Sequence, residues 1–178
     1  MFTFTGKKIA DIVLELPDNI AVDCHEYNII REDQFIAKVY GGRKFTFLMF
    51  ENNLIRIDRI EGFFSPATYT LSNHHTNSYL GEFKFSRNQK EGTLSLLDGN
   101  IFFFHTDTSR KVFYKPSTWN QVRYEMTNSS DKIILSGKFI GSTISEGEIE
   151  TTNTELILPM LVGIYLIEEK ARIQFDNF

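Results

Sequence analysis

The sequence has one cysteine, Cys24, so no intrachain disulfide can form. Small secreted domains lean on such staples, and their absence points to a reducing compartment, the cytoplasm. A surplus of positive charge is also missing: 19 Lys and Arg stand against 23 Asp and Glu, for a net charge of -4. Nucleic-acid binders normally carry a basic excess to neutralise phosphate, so nucleic acid is not an expected partner. Long apolar runs are scarce. The longest, Leu156 to Ile167, is closed by Glu168-Glu169-Lys170 and falls short of the about 20 residues a bilayer span needs. No transmembrane segment is expected. The opening stretch, Met1-Phe2-Thr3-Phe4-Thr5-Gly6-Lys7-Lys8, has no charged region followed by an apolar run, so no signal peptide is expected. Without an export signal, the sequon Asn128-Ser129-Ser130 reads as coincidence.

Signatures of chemistry are equally sparse. There is no Gly-rich phosphate loop, no Gly-x-Ser-x-Gly elbow and no His/Cys spacing that fits a zinc site. No catalytic residue, metal or cofactor is assigned on this basis.

Apolar and aromatic residues are plentiful. The hydrophobic fraction is 42% and the aromatic fraction 14%, with 17 Phe against a single Trp, which argues against disorder. At 178 residues the chain fits one domain, 1–178, with a core of useful size. Segments 27–31, 34–40, 43–51 and 54–60 are rich in Ile, Phe, Val and Tyr, and are separated by Glu32-Asp33, Gly41-Gly42 and Asn52-Asn53. The pattern repeats at 67–72, 78–86, 91–97 and 100–107, with Asp98-Gly99 as the clearest two-residue hairpin signal. Strands are also expected at 121–127, 131–140 and around 143–149. Segment 9–16 is ambiguous between helix and strand, and Pro17 ends it. The sum is about ten to twelve strands in a meander that makes a barrel or sandwich. A weak internal repeat accompanies it: hairpins opening at Tyr27, Tyr69 and Tyr124, each closing near a lysine, Lys38, Lys84 or Lys138.

The C-terminal part differs in kind. Thr152-Asn153-Thr154-Glu155 offers a capping box, and the apolar run from Leu156 follows, with Pro159 tolerated in a first turn. The run has no polar stripe, which is the pattern of a helix surrounded by protein, and Gly163 would allow a close neighbour. A natural place for it is the middle of a barrel. The alternative is a central strand over 160–167. Helix is favoured, over about 155–172, because the run continues into the helix formers Glu168-Glu169-Lys170-Ala171-Arg172.

Hairpins Tyr69–Phe85 and Tyr124–Phe139, followed by the apolar helix at Leu156–Ile167, resemble the tubby-like superfamily: tubby C-terminal domains, phospholipid scramblases and LURP-one-related proteins. The resemblance spans about residues 20–175. It implies a mainly β fold, a closed antiparallel barrel of about twelve strands around the hydrophobic helix, and binding of membrane lipid or protein instead of catalysis. The chain has neither the Cys-rich palmitoylation segment of animal scramblases nor an Asp-rich calcium loop beside the helix. Scrambling is therefore not implied, and no phosphoinositide site is carried over.

Among individual residues, Arg110, Lys111 and Lys115, with Trp119 and Arg123, could hold an anionic headgroup while the ring sits at the interface. The simpler reading is a solvated loop in which Trp119 and Tyr114 close one end of the barrel. His105 and Asp107 share a strand face, but that face also carries Ile101 and Phe103. His74-His75 lies in a turn without further ligands at metal spacing, and Cys24-His25 is a neighbouring pair of the kind that rarely makes a nucleophile and base. The expectation is a cytoplasmic binding domain, with contact at the membrane periphery left open. Its partner is a lipid headgroup or a protein. The alternatives are a lipocalin-like carrier of an apolar small molecule and an enzyme with a rim site at His105, Asp107 or His74.

Overall fold

A computed structural model of the chain describes residues 1–9, 24–42, 46–60, 66–86, 91–106, 122–140 and 143–175. Apolar alternation with period two builds twelve strands in it. The first four are β1 (Phe2–Ile9), β2 (Cys24–Arg31), β3 (Gln34–Gly42) and β4 (Thr46–Phe50). Then come β5 (Asn53–Ile60), β6 (Thr68–Asn73), β7 (Tyr79–Phe85) and β8 (Glu91–Leu96). The last are β9 (Ile101–Thr106), β10 (Val122–Thr127), β11 (Lys132–Ile140) and β12 (Thr143–Thr151). Each strand pairs antiparallel with the next, and β12 pairs with β1, which closes the barrel. Along each strand one parity faces inward: Phe2 and Phe4 are buried between exposed Thr3 and Thr5, and Phe102 and Phe104 between exposed Ile101 and Phe103.

The side chains of about eight strands fill a barrel, so twelve leave a central space. Helix α1 (Ile157–Phe175) occupies it. Every residue from Met160 to Glu169 is buried, and α1 contacts β3, β4, β10, β11 and β12, strands from opposite walls. The missing polar stripe is thus explained: from Met160 to Glu169 no side of this helix meets water. On one wall a Cβ on Gly163 would stand 2.9 Å and 3.0 Å from the two methyl carbons of Leu135, so the backbone of α1 rides directly on β11. On another wall Tyr165 meets Tyr69 edge-on at 5.9 Å. Tyr69 in turn joins a cluster of rings from Phe83, Phe85 and Phe104, with Tyr124 stacked on Phe104.

Local chemistry corrects three expectations and adds one strand. The capping box does not form. Thr152 instead ties the ends of β11 and β12, its N–H donating to the Lys132 carbonyl and its hydroxyl accepting the Lys132 N–H. Helical bonding starts where Met160 N–H donates to Leu156 O, 3.1 Å. Pro159 thus falls in the first turn, where no N–H is required. Asp98-Gly99 belongs to a three-residue loop: Leu96 N–H donates to Asn100 O and Gly99 N–H to Leu96 O. Only Gly99, at φ 89°, needs the left-handed region there, as in a turn followed by a bulge. Gly41-Gly42 ends β3 and is no turn, since both residues pair in register with β2. Finally, β1 is a strand that the apolar pattern understates, because Gly6, Lys7 and Lys8 leave only Phe2 and Phe4 to fill its inner face. Of the ambiguous segment 9–16, only Ile9 lies within the described residues.

Candidate functional site

Two regions combine charge with defined geometry: one inside the barrel, one outside. Inside, α1 carries Glu168 and Glu169 immediately after its apolar run, and their side chains are only 5% and 1% exposed. Burying an unpaired carboxylate costs several kcal/mol, so each must find a partner. Adjacent helix positions point about 100° apart, so the two carboxylates reach different walls. His25, inward-facing on β2 like Tyr27 and Ile29, brings Nδ1 within 2.9 Å of Glu168 Oε1. Arg59, inward on β5 after Ile55 and Ile57, places Nη1 3.2 Å from Glu169 Oε1, and the Tyr69 hydroxyl donates to the same oxygen at 3.3 Å. Gly41 pairs with His25 in register, and a Cβ there would stand 1.8 Å from Glu168 Oε2. That is why a glycine sits in the strand: the carboxylate takes the volume a side chain would fill. The cluster fixes the rotation and depth of α1 within the barrel.

The outer face of the same strands holds Glu26, which is buried yet ionised by its surroundings. Burial pushes its carboxyl up. Hydrogen bonds from Asn28 (2.9 Å) and Lys7 (3.0 Å), with the charges of Lys7 and Lys38, outweigh this and hold it below its ordinary 4.5. Cys24 also faces outward, into an apolar cluster with Tyr40, Phe47 and Leu54. Neighbouring strand residues point to opposite faces, so Cys24 and His25 do not meet as a nucleophile and base.

Further round the barrel, β1, β12, β11 and β10 form a shallow groove with a cavity of about 690 Å³. Register sets Thr3, Glu148, Ser136 and Arg123 side by side across it, and Thr5, Glu146 and Lys138 in the next row. Lys138 and Glu146 pair at 3.2 Å. Arg123 is the one headgroup candidate within the described residues, exposed on this groove. Arg110, Lys111, Lys115 and Trp119 lie outside them, as do Tyr114 and Asp107.

The remaining histidines are apart. His105 shares its face with Ile101 and Phe103 as expected, but that face is the outer one: His105 Nδ1 stands 3.8 Å from Glu91 Oε1, both side chains exposed. His74 lies at the opposite end of the barrel, its ring edge-on to Phe47 at 5.5 Å and to His75 at 5.6 Å. Among the described residues, no group of three or more His, Cys, Asp or Glu could hold a metal ion. No helix among them is long and apolar enough to cross a membrane.

Sequence reasoning treats Glu168-Glu169 as helix formers and misses them as buried acids. The signal is present: a helix assigned to a barrel interior must hand its carboxylates to inward-facing strand positions, and parity with Ile55 and Ile57 puts Arg59 there. No protein-family model matches the chain, and neither a curated protein nor a solved structure matches it.

Proposed function

We propose that this protein is a binding module of tubby-like type that takes a membrane-lipid headgroup on the outer surface of its barrel. One observation carries the reading: α1 occupies the interior, so recognition has the outer surface to work with. A carrier of an apolar small molecule would need the space that the side chains of α1 take up. Of the rim-site residues His105, Asp107 and His74, the two histidines sit at opposite ends of the barrel, and Asp107 lies outside the described residues. The outer surface also displays large apolar side chains on β9, Ile101 at 47% and Phe103 at 61% exposure, of the kind that enter a lipid interface. The basic segment with Arg110, Lys111 and Lys115 follows β9 in the chain. A cytoplasmic location with contact at the membrane periphery goes with this reading.

Liposome flotation tests it. The chain is expected to float with vesicles containing anionic lipid. Replacing Arg110, Lys111 and Lys115 by Ala, or Phe103 by Ser, is expected to reduce that binding several-fold. Flotation that is absent, or unchanged in both variants, overturns the lipid reading in favour of a protein partner on the same surface.

A further inference from the structure

The groove over β12 holds charges of both signs in a single row. Arg123 and Glu148 stand on either side of Ser136, two strand spacings or about 10 Å apart at the backbone. Lys138 and Glu146 neutralise each other in the next row. Among the described residues, neither Arg123 nor Glu148 is engaged in an ion pair or side-chain hydrogen bond. One exposed cation and one exposed anion therefore face the same cavity, with the hydroxyls of Ser136 and Thr3 beside them. At about 690 Å³ the cavity is within the range of small-molecule sites.

The geometry points to a site for a small zwitterion of phosphoethanolamine type, its phosphate on Arg123 and its primary ammonium on Glu148. The planar guanidinium fork matches phosphate oxygens, and a carboxylate accepts from an ammonium N–H. The ammonium is primary and not quaternary for a specific reason. Quaternary groups are held by aromatic faces, and among the described residues the one aromatic that lines the groove, Phe4, is buried in the core. Ser136, between the two charges, offers a hydroxyl to either end of the ligand. The same chemistry is carried by a free phosphoethanolamine ester and by a lipid headgroup. In its lipid form the inference rests on the outer-surface reading above.

The test separates those sources. NMR titration of the full chain with glycerophosphoethanolamine is expected to give saturable shifts at Arg123, Ser136 and Glu148. Arg123→Gln and Glu148→Gln are each expected to weaken binding about tenfold or more. Glycerophosphocholine is expected to bind about tenfold more weakly than glycerophosphoethanolamine. Both substituted positions are exposed, so unchanged melting temperatures will show that the variants stay folded. Absence of saturable shifts overturns the site, as does equal binding of the two esters with Glu148→Gln without effect. Flotation with phosphatidylethanolamine in a phosphatidylcholine background then identifies the source. Binding to such vesicles, lost in Arg123→Gln, assigns the lipid headgroup. Binding of the soluble ester alone overturns the lipid form and assigns the free zwitterion. Failure of anionic vesicles to bind leaves the ester titration unaffected, so the two readings fail separately.

Discussion

At the scale of residues, the Cβ that Gly41 lacks would coincide with a carboxylate oxygen of Glu168, and Glu168 cannot swing away without leaving His25. Gly41→Ala is therefore expected to cost about 1–3 kcal/mol, the usual penalty of overpacking. In a double-mutant cycle by urea denaturation, the cost of Gly41→Ala is expected to shrink when Glu168 is already Ala. Full additivity would mean that the carboxylate is not what excludes the side chain. Glu26 makes a second residue-scale prediction. Its folded pKa lies below 4.5, so its ionised form contributes stability that is fully present above 4.5 and is lost as pH falls through the folded value. Wild type is thus expected to be more stable than Glu26→Gln at pH 7, with the gap closing as the pH is lowered below 4.5. A gap constant from pH 7 to pH 3 would contradict that origin.

For the elements, the helix is the informative one. In a solvent-facing helix Gly163→Ala would gain about 1 kcal/mol from propensity. Here the added methyl meets Leu135, which is fully buried, at under 3 Å from one of its methyl carbons. Repacking costs of about 1–3 kcal/mol should outweigh the propensity gain. Gly163→Ala is accordingly expected to lower the melting temperature, and Gly163→Val to lower it further. A rise in either would mean that α1 does not ride on β11. Pro159→Ala is also expected to destabilise, by about 1 kcal/mol, because Pro159 is buried and its ring methylenes leave a void, while the first turn has no N–H to restore to a helical bond.

Across the whole molecule, barrel and helix each supply the other's core. The strands alone would expose a ring of inward Phe, Tyr, Leu and Ile, and α1 alone would be apolar on every side over Met160–Ile167. A chain ending at Glu155 is expected to show no cooperative thermal transition and to bind a hydrophobic dye. A folded, cooperative barrel from that shortened chain would instead make the interior an open cavity and revive a carrier function. The three tyrosine hairpins add a whole-molecule regularity. Tyr27, Tyr69 and Tyr124 all face inward, on β2, β6 and β10, every fourth strand of the twelve. The repeat that is faint in sequence thus falls at even intervals around the wall.

Much of this architecture is legible from local pattern. Alternation marks strands because side chains of a strand point to opposite faces, and all the strands but β1 are readable that way. The unbroken apolar run at 156–167 favours a helix surrounded by protein over a central strand, and a barrel interior offers that surrounding. What pattern does not reach are pairings between distant residues. Gly41-Gly42 reads as a turn until Glu168, far along the chain, is seen to occupy the space beside Gly41. Glu168 and Glu169 read only as helix formers that close the apolar run until His25, Arg59 and Tyr69 close on them. The row that brings Arg123 opposite Glu148 exists only through the register of β10, β11 and β12. Sequence alone therefore determined nearly all the elements, β1 excepted, since these follow from short-range periodicity. Tertiary structure decided which charges share a space, since that depends on how the barrel closes.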